Sequence, residues 1–485
     1  MHSNYRYLLF FSLLLLPARA VVANNQCCES HQFIPRSITT DLVYTDLNNY
    51  YLRHKQEDGP KFIYSGNFIY ERSNKSDTLG SAFLLKNGCN CVSVNQNAPA
   101  DINSNWLGLA NLDPANPFAA NFCISPQRSV FAYYSYLYFD LSDWVCGMWA
   151  DIATSVLNVR HKLNCCEVGN TASVCPGIQT VSDALNNPLY RFGKFDCGNC
   201  CDDLHRTGVD DIQVRLGYER SWCDDEHIWG GYLIGTIPTG RKPNAEHVFE
   251  PLIGSRHGSL GVGLNGFYQA WCNDQDHSIA LMLDANYRYV FKRNECRTFD
   301  LCNNGAFSRF LLVANEADPI TPMPGINFFT QNIDVTPRST VQFWLAMNYE
   351  RCDYNVEAGY NFFWRQKETI ACPCDLGATI GVYELGCPGP GCTSASTAKI
   401  SDGPNEITPD AAFVALTPND LNLWSGAADT ALSNKFYASV ATHGTFCDCV
   451  DWNIAFGGSY EFVNGDYRCA TLPFWAVFGQ FSFVF

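Results

Sequence analysis

The chain has 485 residues, of which 47% are hydrophobic and 16% charged, and its formal net charge is −16. Soluble domains usually carry about 25% charged residues, and nucleic-acid binding needs basic patches that an acidic chain does not supply. The composition therefore excludes nucleic acid as a partner, while the 14% aromatic content favours β-strands over helices.

Residues 1–23 have the pattern of a secretory signal peptide. Arg6 precedes an apolar run over residues 8–16, and small residues follow at Ala18 and Ala20. The run is too short to cross the ~30 Å hydrocarbon core of a bilayer, so we expect a cleaved signal rather than a membrane anchor. Export would place the 24 cysteines in an oxidising compartment.

Two regions follow the signal. Residues 24–58 contain no clear strand, and we predict an N-terminal extension that is either periplasmic or a plug. Residues 59–485 consist of stretches of about ten residues, the length of a membrane-spanning strand, in which apolar and polar side chains alternate. Because side chains of a strand point alternately to its two faces, each stretch predicts a strand with one apolar face.

The pattern predicts an all-β protein, a closed antiparallel transmembrane β-barrel of about 12–16 strands. In the stretch DIQVRLGYER, residues 211–220, Ile212 and Val214 share one face, and Gln213 and Arg215 share the other. The strands of a soluble sandwich average only about 5–6 residues. The predicted strands are 61–71, 129–140, 149–163, 210–220, 228–237, 259–271, 278–291, 339–350, 354–366, 435–446, 451–462 and 472–485.

The connections between these strands alternate in length. Links such as 221–227 and 351–353 are short, whereas a link such as 366–434 is long. Outer-membrane barrels have short periplasmic turns and long external loops, so the alternation fits a barrel with both ends in the periplasm. Two stretches within the long links, 79–85 and 307–314, could add further strands.

The polar face of each strand would line the lumen. It carries charges of both signs, which would create a field across a pore and sort solutes by charge. The alternative is a solvated or salt-bridged wall. The apolar-rich link 292–339 either folds inward and narrows the pore or lies on the surface. The predicted pore-lining residues are Arg160, Lys162, Arg215, Glu219, Asp284, Arg288, Glu357, Arg365 and Glu461.

No motif predicts catalysis or cofactor binding. The match to G-x-G-x-x-G at residues 261–266 lies inside an alternating strand, whereas a dinucleotide site needs a strand before the motif and a helix after it. Neither H-E-x-x-H nor G-x-S-x-G occurs. Cys197 and Cys200 have C-x₂-C spacing, but no second pair follows at zinc spacing. We predict neither an enzyme nor a bound metal or cofactor.

The cysteines avoid the centres of the predicted strands and lie in links and turns. In an exported protein they predict disulfides that join loops. A second interpretation is cross-linking to neighbouring molecules through cysteines of the short turns. The candidate disulfide residues are Cys223, Cys272, Cys296, Cys302, Cys352, Cys447, Cys449 and Cys469.

The chain ends in FWAVFGQFSFVF, with apolar residues at alternate positions up to the last one. This ending resembles the C-terminal signature of bacterial outer-membrane barrels. The resemblance implies that the insertion machinery of the outer membrane reads these residues in the unfolded chain. The residues that carry the signature are Trp475, Val477, Phe481, Phe483 and Phe485.

The combination of a predicted barrel with many cysteines resembles, more loosely, the cysteine-rich major outer-membrane porins of chlamydia-type intracellular bacteria. That resemblance implies a barrel that passes small solutes and an envelope cross-linked by disulfides. It transfers no functional residue, because no long motif matches.

The sequence predicts a porin-like channel of the bacterial outer membrane for passive diffusion of small hydrophilic solutes. One alternative is a disulfide-cross-linked structural envelope protein with a plugged lumen, and another is a surface adhesin or receptor. The expected partners are outer-membrane lipid, the insertion machinery, small solutes, and a second copy of the chain or disulfide-linked neighbours.

Overall fold

A computed structural model describes residues 30–54, 60–86, 88–97, 99–169, 173, 177–197, 203–222, 227–273, 277–382, 397–402, 415–446, 450–463 and 467–485. The predicted signal peptide lies outside these residues. The described chain forms a closed antiparallel β-barrel of twelve strands, as the alternation predicted. A barrel of this kind satisfies every backbone hydrogen bond between neighbouring strands and leaves no open edge.

The barrel strands follow one another in chain order around the barrel. They are β1 Phe62–Ser73, β2 Gln127–Asp140, β3 Met148–Lys162, β4 Leu204–Trp222, β5 His227–Ile237, β6 Ser259–Asn273, β7 His277–Val290, β8 Arg338–Arg351, β9 Tyr354–Arg365, β10 Ala431–Phe446, β11 Val450–Phe462 and β12 Phe474–Val484.

The first and last strands close the barrel. β1 pairs with β12 in a register that runs from Ile63 opposite Val484 to Ser73 opposite Phe474. The terminal Phe485 continues this pairing, because its N–H donates to the carbonyl of Phe62 at 2.9 Å. Both ends of the barrel wall therefore lie at the end where the short turns are.

The strands present apolar side chains outward and polar ones inward. Along β4, Val214 and Leu216 face outward, while Gln213 and Arg215 are buried inside the barrel. An outer wall of this composition is stable against lipid and not against water. Large apolar residues exposed on the wall include Phe68, Phe131, Ile152, Val156, Leu216, Leu233, Val262, Leu264, Met347, Val356, Phe436, Val440, Ile454, Phe456 and Val477.

The six long links meet at one end of the barrel and form a domain that we call the cap: 74–126, 163–203, 238–258, 291–337, 366–430 and 463–473. Every link supplies buried apolar residues to one core, among them Phe122, Phe195, Phe249, Phe310 and Leu472. The cap is therefore a folded body rather than a set of independent loops.

The cap contains short elements only. Its α-helices are Asp77–Phe83 and Val181–Leu185, and its 3₁₀ helices are Ser104–Leu107, Ser308–Phe310, Gly325–Asn327, Pro418–Asp420 and Leu423–Gly426. Its strands are Cys91–Asn95, Ile102–Asn103, Ala119–Cys123, Cys166–Val168, Arg293–Thr298, Asp300–Leu301, Leu312–Asn315, Asp318–Pro324, Thr330–Thr336, Thr369–Ile370, Ile380–Val382 and Leu421–Asn422.

The two stretches that could have added barrel strands do not do so. Residues 79–85 lie mostly in the helix Asp77–Phe83, whose first turn is capped by the side chain of Ser76 accepting from the N–H of Leu79. This cap satisfies a free helical N–H and favours a helix. Residues 307–314 belong to the 3₁₀ helix and a short strand of the cap.

Residues 30–54, which we call the plug segment, run inside the barrel from the cap to the short-turn end. The segment contains the helices α1, Leu42–Asp46, and α2, Asn49–His54, and almost all of its residues are buried. Among the described residues, no helix is long and apolar enough to cross a membrane.

Candidate functional site: the filled lumen of the barrel

The structure places seven of the nine predicted lumen residues inside the barrel. Their side chains are buried between the wall, the plug segment and the cap, and not along an open water-filled passage. In the described part of the chain, for example, Glu357 is 0% and Arg215 1% exposed. The seven are Arg215, Glu219, Asp284, Arg288, Glu357, Arg365 and Glu461.

The other two residues, Arg160 and Lys162, lie on the outer face, so their predicted orientation is wrong. In β3 the inward set includes Asp151, Ser155 and His161, and the alternate set, which includes Ile152 and Val156, points outward. Arg160 and Lys162 follow the apolar outward residues of β3 at its cap end. Charges are tolerated there because that part of the strand lies beyond the apolar belt.

The centre of the lumen holds a cluster of one arginine and three carboxylates. Arg215 of β4 contacts Asp46 of the plug segment at 2.9 Å, Asp151 of β3 at 2.8 Å and Asp284 of β7 at 3.1 Å. Tyr232 donates to Asp284. The cluster joins α1 to three strands and keeps an excess of negative charge out of water.

A second contact group fixes the short-turn end of the plug segment. Glu219 of β4 accepts from Arg53 at 2.7 Å and contacts Nε2 of His54 at 2.9 Å. The guanidinium of Arg53 also lies 4.1 Å from the ring centroid of Trp149 and 4.5 Å from that of Tyr138. Such a cation–π arrangement is strongest where water is excluded.

Between these two groups, the turn from α1 to α2 contacts the opposite wall. The N–H of Asn48 donates to Glu357 at 3.1 Å, and its side-chain amide donates to Gln480 at 3.1 Å. Tyr437 donates to the second oxygen of Glu357 at 2.7 Å. Both oxygens of this carboxyl group therefore have partners.

The cap end of the plug segment lies against a lysine. Lys435 of β10 contacts Asp41 at 2.6 Å, Glu461 of β11 at 3.3 Å and Glu71 of β1 at 3.7 Å. Asp41 also pairs with Arg36 at 2.9 Å. Glu461 thus lies in a charge network that includes the plug segment.

An irregularity in the wall adds one more anchor. The register of β3 and β4 shifts between Thr154 and Val156, and both Asp210 and Asp211 are buried. Asp210 accepts from the hydroxyl of Ser37 at 3.0 Å and from the N–H of Thr39 at 2.9 Å. A bulge re-aims side chains in this way.

Sequence reasoning missed the partners in the plug segment, because they lie on no recognisable strand. The available signal was the charged residues Asp41, Asp46 and Arg53, which lie among apolar and aromatic residues such as Leu42 and Tyr50. It also missed Asp151. The prediction placed Arg160 and Lys162 inside, and a shift of that alternation by one residue would have placed Asp151 inside instead.

The link 292–339 was expected to narrow the pore or lie on the surface. The structure places it in the cap, where Arg309 contacts His31 at 2.6 Å and Arg297 contacts Gln32 at 3.3 Å. The plug segment fills the lumen instead. These two contacts of the link are with the start of that segment.

The cysteines fall into three groups. Cys91–Cys123 and Cys165–Cys197 form disulfides within the cap, and Cys469 is also disulfide-bonded. Cys272 and Cys352, near short turns, and Cys296 and Cys302, in the cap, form no disulfide within the described chain, and their role as disulfide residues stays a prediction. Cys223, Cys447 and Cys449 lie outside the described residues.

The residues of the C-terminal signature share the outward face of β12. Trp475, Val477 and Phe485 are exposed, and Phe481 and Phe483 are half-buried against neighbouring aromatic rings. Their alternates along the strand, such as Gln480 and Ser482, face the lumen.

The fold and the lumen define the class of this protein, a twelve-stranded β-barrel filled by the N-terminal part of the same chain. No family model matches the sequence, and no curated protein matches it either.

Among solved structures, the chain is similar to an outer-membrane channel from Pseudomonas putida F1, at 10% identity and a TM-score of 0.36, over 88% of this chain and 96% of that one. It is similar to the NanC porin at 10% identity and a TM-score of 0.28, over 73% and 93% of the two chains. It is also similar to a FadL homologue from Pseudomonas aeruginosa at 10% identity and a TM-score of 0.28, over 93% and 98%. With TM-scores below 0.5, these likenesses add nothing to the argument from the geometry.

Proposed function

We propose that the protein is a channel of the bacterial outer membrane that is closed by its own plug segment and passes small hydrophilic solutes when that segment moves. The apolar outer wall supports a position in lipid. The predicted signal peptide would deliver the chain to the periplasm, and the C-terminal signature would present it to the insertion machinery.

The observation that carries this proposal is the chemistry of the contact between plug segment and wall. Ion pairs and hydrogen bonds form around Arg215, Glu219, Glu357 and Lys435. They lie beside a cluster of buried apolar and aromatic side chains that the plug segment and the wall share. The charged part of this contact is unusual for a permanent core, in which ionisable side chains are rarely buried. Polar wall groups can exchange the plug segment for water and solute, so the same residues could line an open passage.

The test is single-channel conductance in planar bilayers. We expect the full-length mature chain to be closed for most of the recording and a variant lacking residues 30–54 to give steady openings. Arg160→Gln serves as the control, because this exposed side chain of the outer wall does not face the lumen. Heat-modifiable migration in electrophoresis would verify that each variant has folded.

A folded variant without residues 30–54 that gave no conductance would reject the channel. That result would favour the second candidate, a structural envelope protein joined to its neighbours by disulfides. The observation in favour of this candidate is that the free thiols of Cys272 and Cys352 are exposed at the short-turn end. Oligomers that appear in non-reducing electrophoresis of whole envelopes and disappear on reduction would support it.

A further inference from the structure

Where the start of the plug segment meets the barrel mouth and the cap, the structure contains a cavity of 60 Å³. A single water needs roughly 10–15 Å³ on this measure, so the cavity has room for a small multi-atom ligand. Four arginines from four different parts of the chain line it: Arg36, Arg256, Arg288 and Arg365.

Two of these four arginines form no ion pair among the described residues. Arg36 pairs with Asp41 at 2.9 Å and Arg256 pairs with Glu295 at 3.1 Å, but neither of the other two arginines forms an ion pair with a carboxylate of the described chain. The acidic residue in the lining is Glu368, whose carboxylate is already engaged by Arg297 at 3.3 Å and by the N–H of Ala428 at 2.8 Å.

The two arginines without carboxylate partners also make few hydrogen bonds. Arg288 donates to Gln213 at 3.4 Å. Arg365 donates to the carbonyl of Ile34 at 3.0 Å and to that of Asp429 at 3.5 Å. Both side chains are more than nine-tenths buried.

Several guanidinium donors of the lining have no partner in the described protein. They are the Nε atoms of Arg36, Arg256, Arg288 and Arg365 and the Nη2 atom of Arg256, all of them buried. A buried donor or charge without a partner is strongly unfavourable. The arrangement is therefore incomplete as a purely structural network.

A small oxyanion would complete it. Guanidinium groups present paired N–H donors that match the oxygens of phosphate and carboxylate groups. Arg36 repels Arg288, and Arg256 repels Arg365, although carboxylates such as Glu368 offset part of this repulsion. Negative charge in the cavity would reduce it further.

We propose that this cavity is a binding site for a small oxyanion, a phosphate or carboxylate group, recognised by Arg36, Arg256, Arg288 and Arg365. Because Ile34, Pro35, Arg36 and Ser37 belong to the same lining, bound anion would also fasten the start of the plug segment. Binding at equilibrium does not depend on conduction, so the site stands or falls separately from the channel.

The experiment is isothermal titration of the full mature protein in neutral detergent micelles with inorganic phosphate, at constant chloride. We expect saturable binding to the wild type and a loss of roughly tenfold or more in affinity for the double variant Arg288→Gln and Arg365→Gln, because charge-assisted hydrogen bonds are lost. Arg160→Gln, which removes an exposed arginine from the outer wall, should bind phosphate as the wild type does.

A second titration with acetate would distinguish a phosphate site from a carboxylate site. The anion that binds more tightly identifies the kind of ligand. The double variant Arg288→Lys and Arg365→Lys keeps the charges but lacks the paired donors. It should bind phosphate more tightly than the folded Gln double variant and more weakly than the wild type, which separates the effect of charge from that of donor geometry. Absence of saturable binding of either anion to the wild type, or equal binding by the folded Gln double variant, would overturn the proposal.

Discussion

Arg215 is the residue on which the centre of the lumen depends. It faces Asp46, Asp151 and Asp284, and all four side chains are at most 1% exposed. Three buried carboxylates around a single guanidinium repel one another in a medium of low dielectric. The cluster is stable only while the arginine remains.

Arg215→Gln is therefore expected to lower the free energy of unfolding by about 3–5 kcal/mol, the range for breaking a buried ion pair from one side. The measurement is the temperature at which detergent-folded protein loses its heat-modifiable migration. Arg160→Gln, on the outer wall, is the control and should shift this temperature little. Equal shifts for the two variants would contradict the role of the cluster.

Two buried acids of the cap have opposite pKa shifts. Burial tends to raise the pKa of Glu295, but the charges of Arg256 and Arg297 hold it below its usual range. The pKa of Asp300 is raised by burial, although Arg309 acts against the shift. A depressed pKa stabilises the fold above the ordinary carboxyl range and loses that effect as the pH falls through the folded value.

Because the pKa of Glu295 is depressed in the folded protein, Glu295→Gln should destabilise the cap at about pH 7 and less so at about pH 4 and below. The raised pKa of Asp300 means that the wild type must bury a charge as the pH rises. The stability of Asp300→Asn should therefore increase relative to that of the wild type as the pH rises. The measurement is hydrogen exchange of the cap strand Arg293–Thr298, corrected for the intrinsic rate at each pH. If the difference in exchange rate between Glu295→Gln and the wild type does not change with pH, the assigned pKa shift of Glu295 is wrong.

At the residue scale, the sequence predicts the direction of a side chain only where the alternation is regular. Gln213 and Arg215 could be assigned from their own strand. Arg160 and Lys162 could not, because the apolar belt that fixes the phase has ended before the strand does. Asp46 could not be assigned either, since its partner lies 169 residues away and no local pattern connects the two.

At the scale of the element, the plug segment is held by its surroundings. The helices α1 and α2 contain five and six residues, whereas isolated helices shorter than about 12–15 residues are marginal in water. Each is therefore stable only against the wall. A segment of this kind can leave the lumen without first breaking a core of its own.

A disulfide between plug segment and wall should lock the channel shut. The hydroxyls of Thr39 and Ser155 lie 2.7 Å apart, close enough for Thr39→Cys with Ser155→Cys to bridge. We expect this variant to show no openings in planar bilayers until it is reduced. The matched control is Asn158→Cys with Thr207→Cys, which joins two wall strands on the outer face, where the Asn158 amide donates to the Thr207 hydroxyl at 2.7 Å.

The control should open as the wild type does, with or without reductant, since its bridge does not touch the position of the plug segment. Openings of the oxidised Thr39→Cys, Ser155→Cys variant at the frequency of the wild type would contradict gating by the plug segment. Mass spectrometry of peptic peptides would first verify that each new bridge has formed.

Elements of the barrel were more predictable than elements of the cap. A wall strand has alternating apolar and polar residues over about ten positions, because one face contacts lipid and the other faces the lumen. The cap strands are short and pack in a core made by six distant links, so their pattern depends on partners that sequence proximity does not reveal. The helix Asp77–Phe83 is an exception in principle, since its capping serine is local.

At the scale of the whole molecule, the apolar outer wall implies a membrane. Leu264 of β6 is 66% exposed on that wall, and Leu189 in the cap is 67% exposed. The two side chains are equally accessible but would meet different solvents. They therefore form a matched pair for testing where the bilayer lies.

Leu264→Arg should lower the free energy of folding into lipid vesicles by about 2–4 kcal/mol if the residue lies near the midplane. Leu189→Arg should have an effect of a few tenths of a kcal/mol, as is typical of surface substitutions. The measurement is reversible unfolding by guanidinium in vesicles. Equal effects for the two variants would contradict a lipid-facing wall at Leu264.

The closed barrel, its twelve strands and its short-turn end could be predicted because they follow from periodicity and connection length. The filling of the lumen could not be predicted, since a plug and a periplasmic extension are both compatible with residues 24–58. The segment is held by charged and apolar partners on the wall, and those partners come together only once the wall is assembled.

The most direct test of the filled lumen is hydrogen exchange, by mass spectrometry, of the mature protein in detergent micelles or vesicles. If residues 30–54 occupy the lumen, their amides should exchange as slowly as those of neighbouring wall strands such as Ser259–Asn273 and far more slowly than exposed turns. Exchange of the whole segment within seconds, while the wall strands stay protected, would contradict the account.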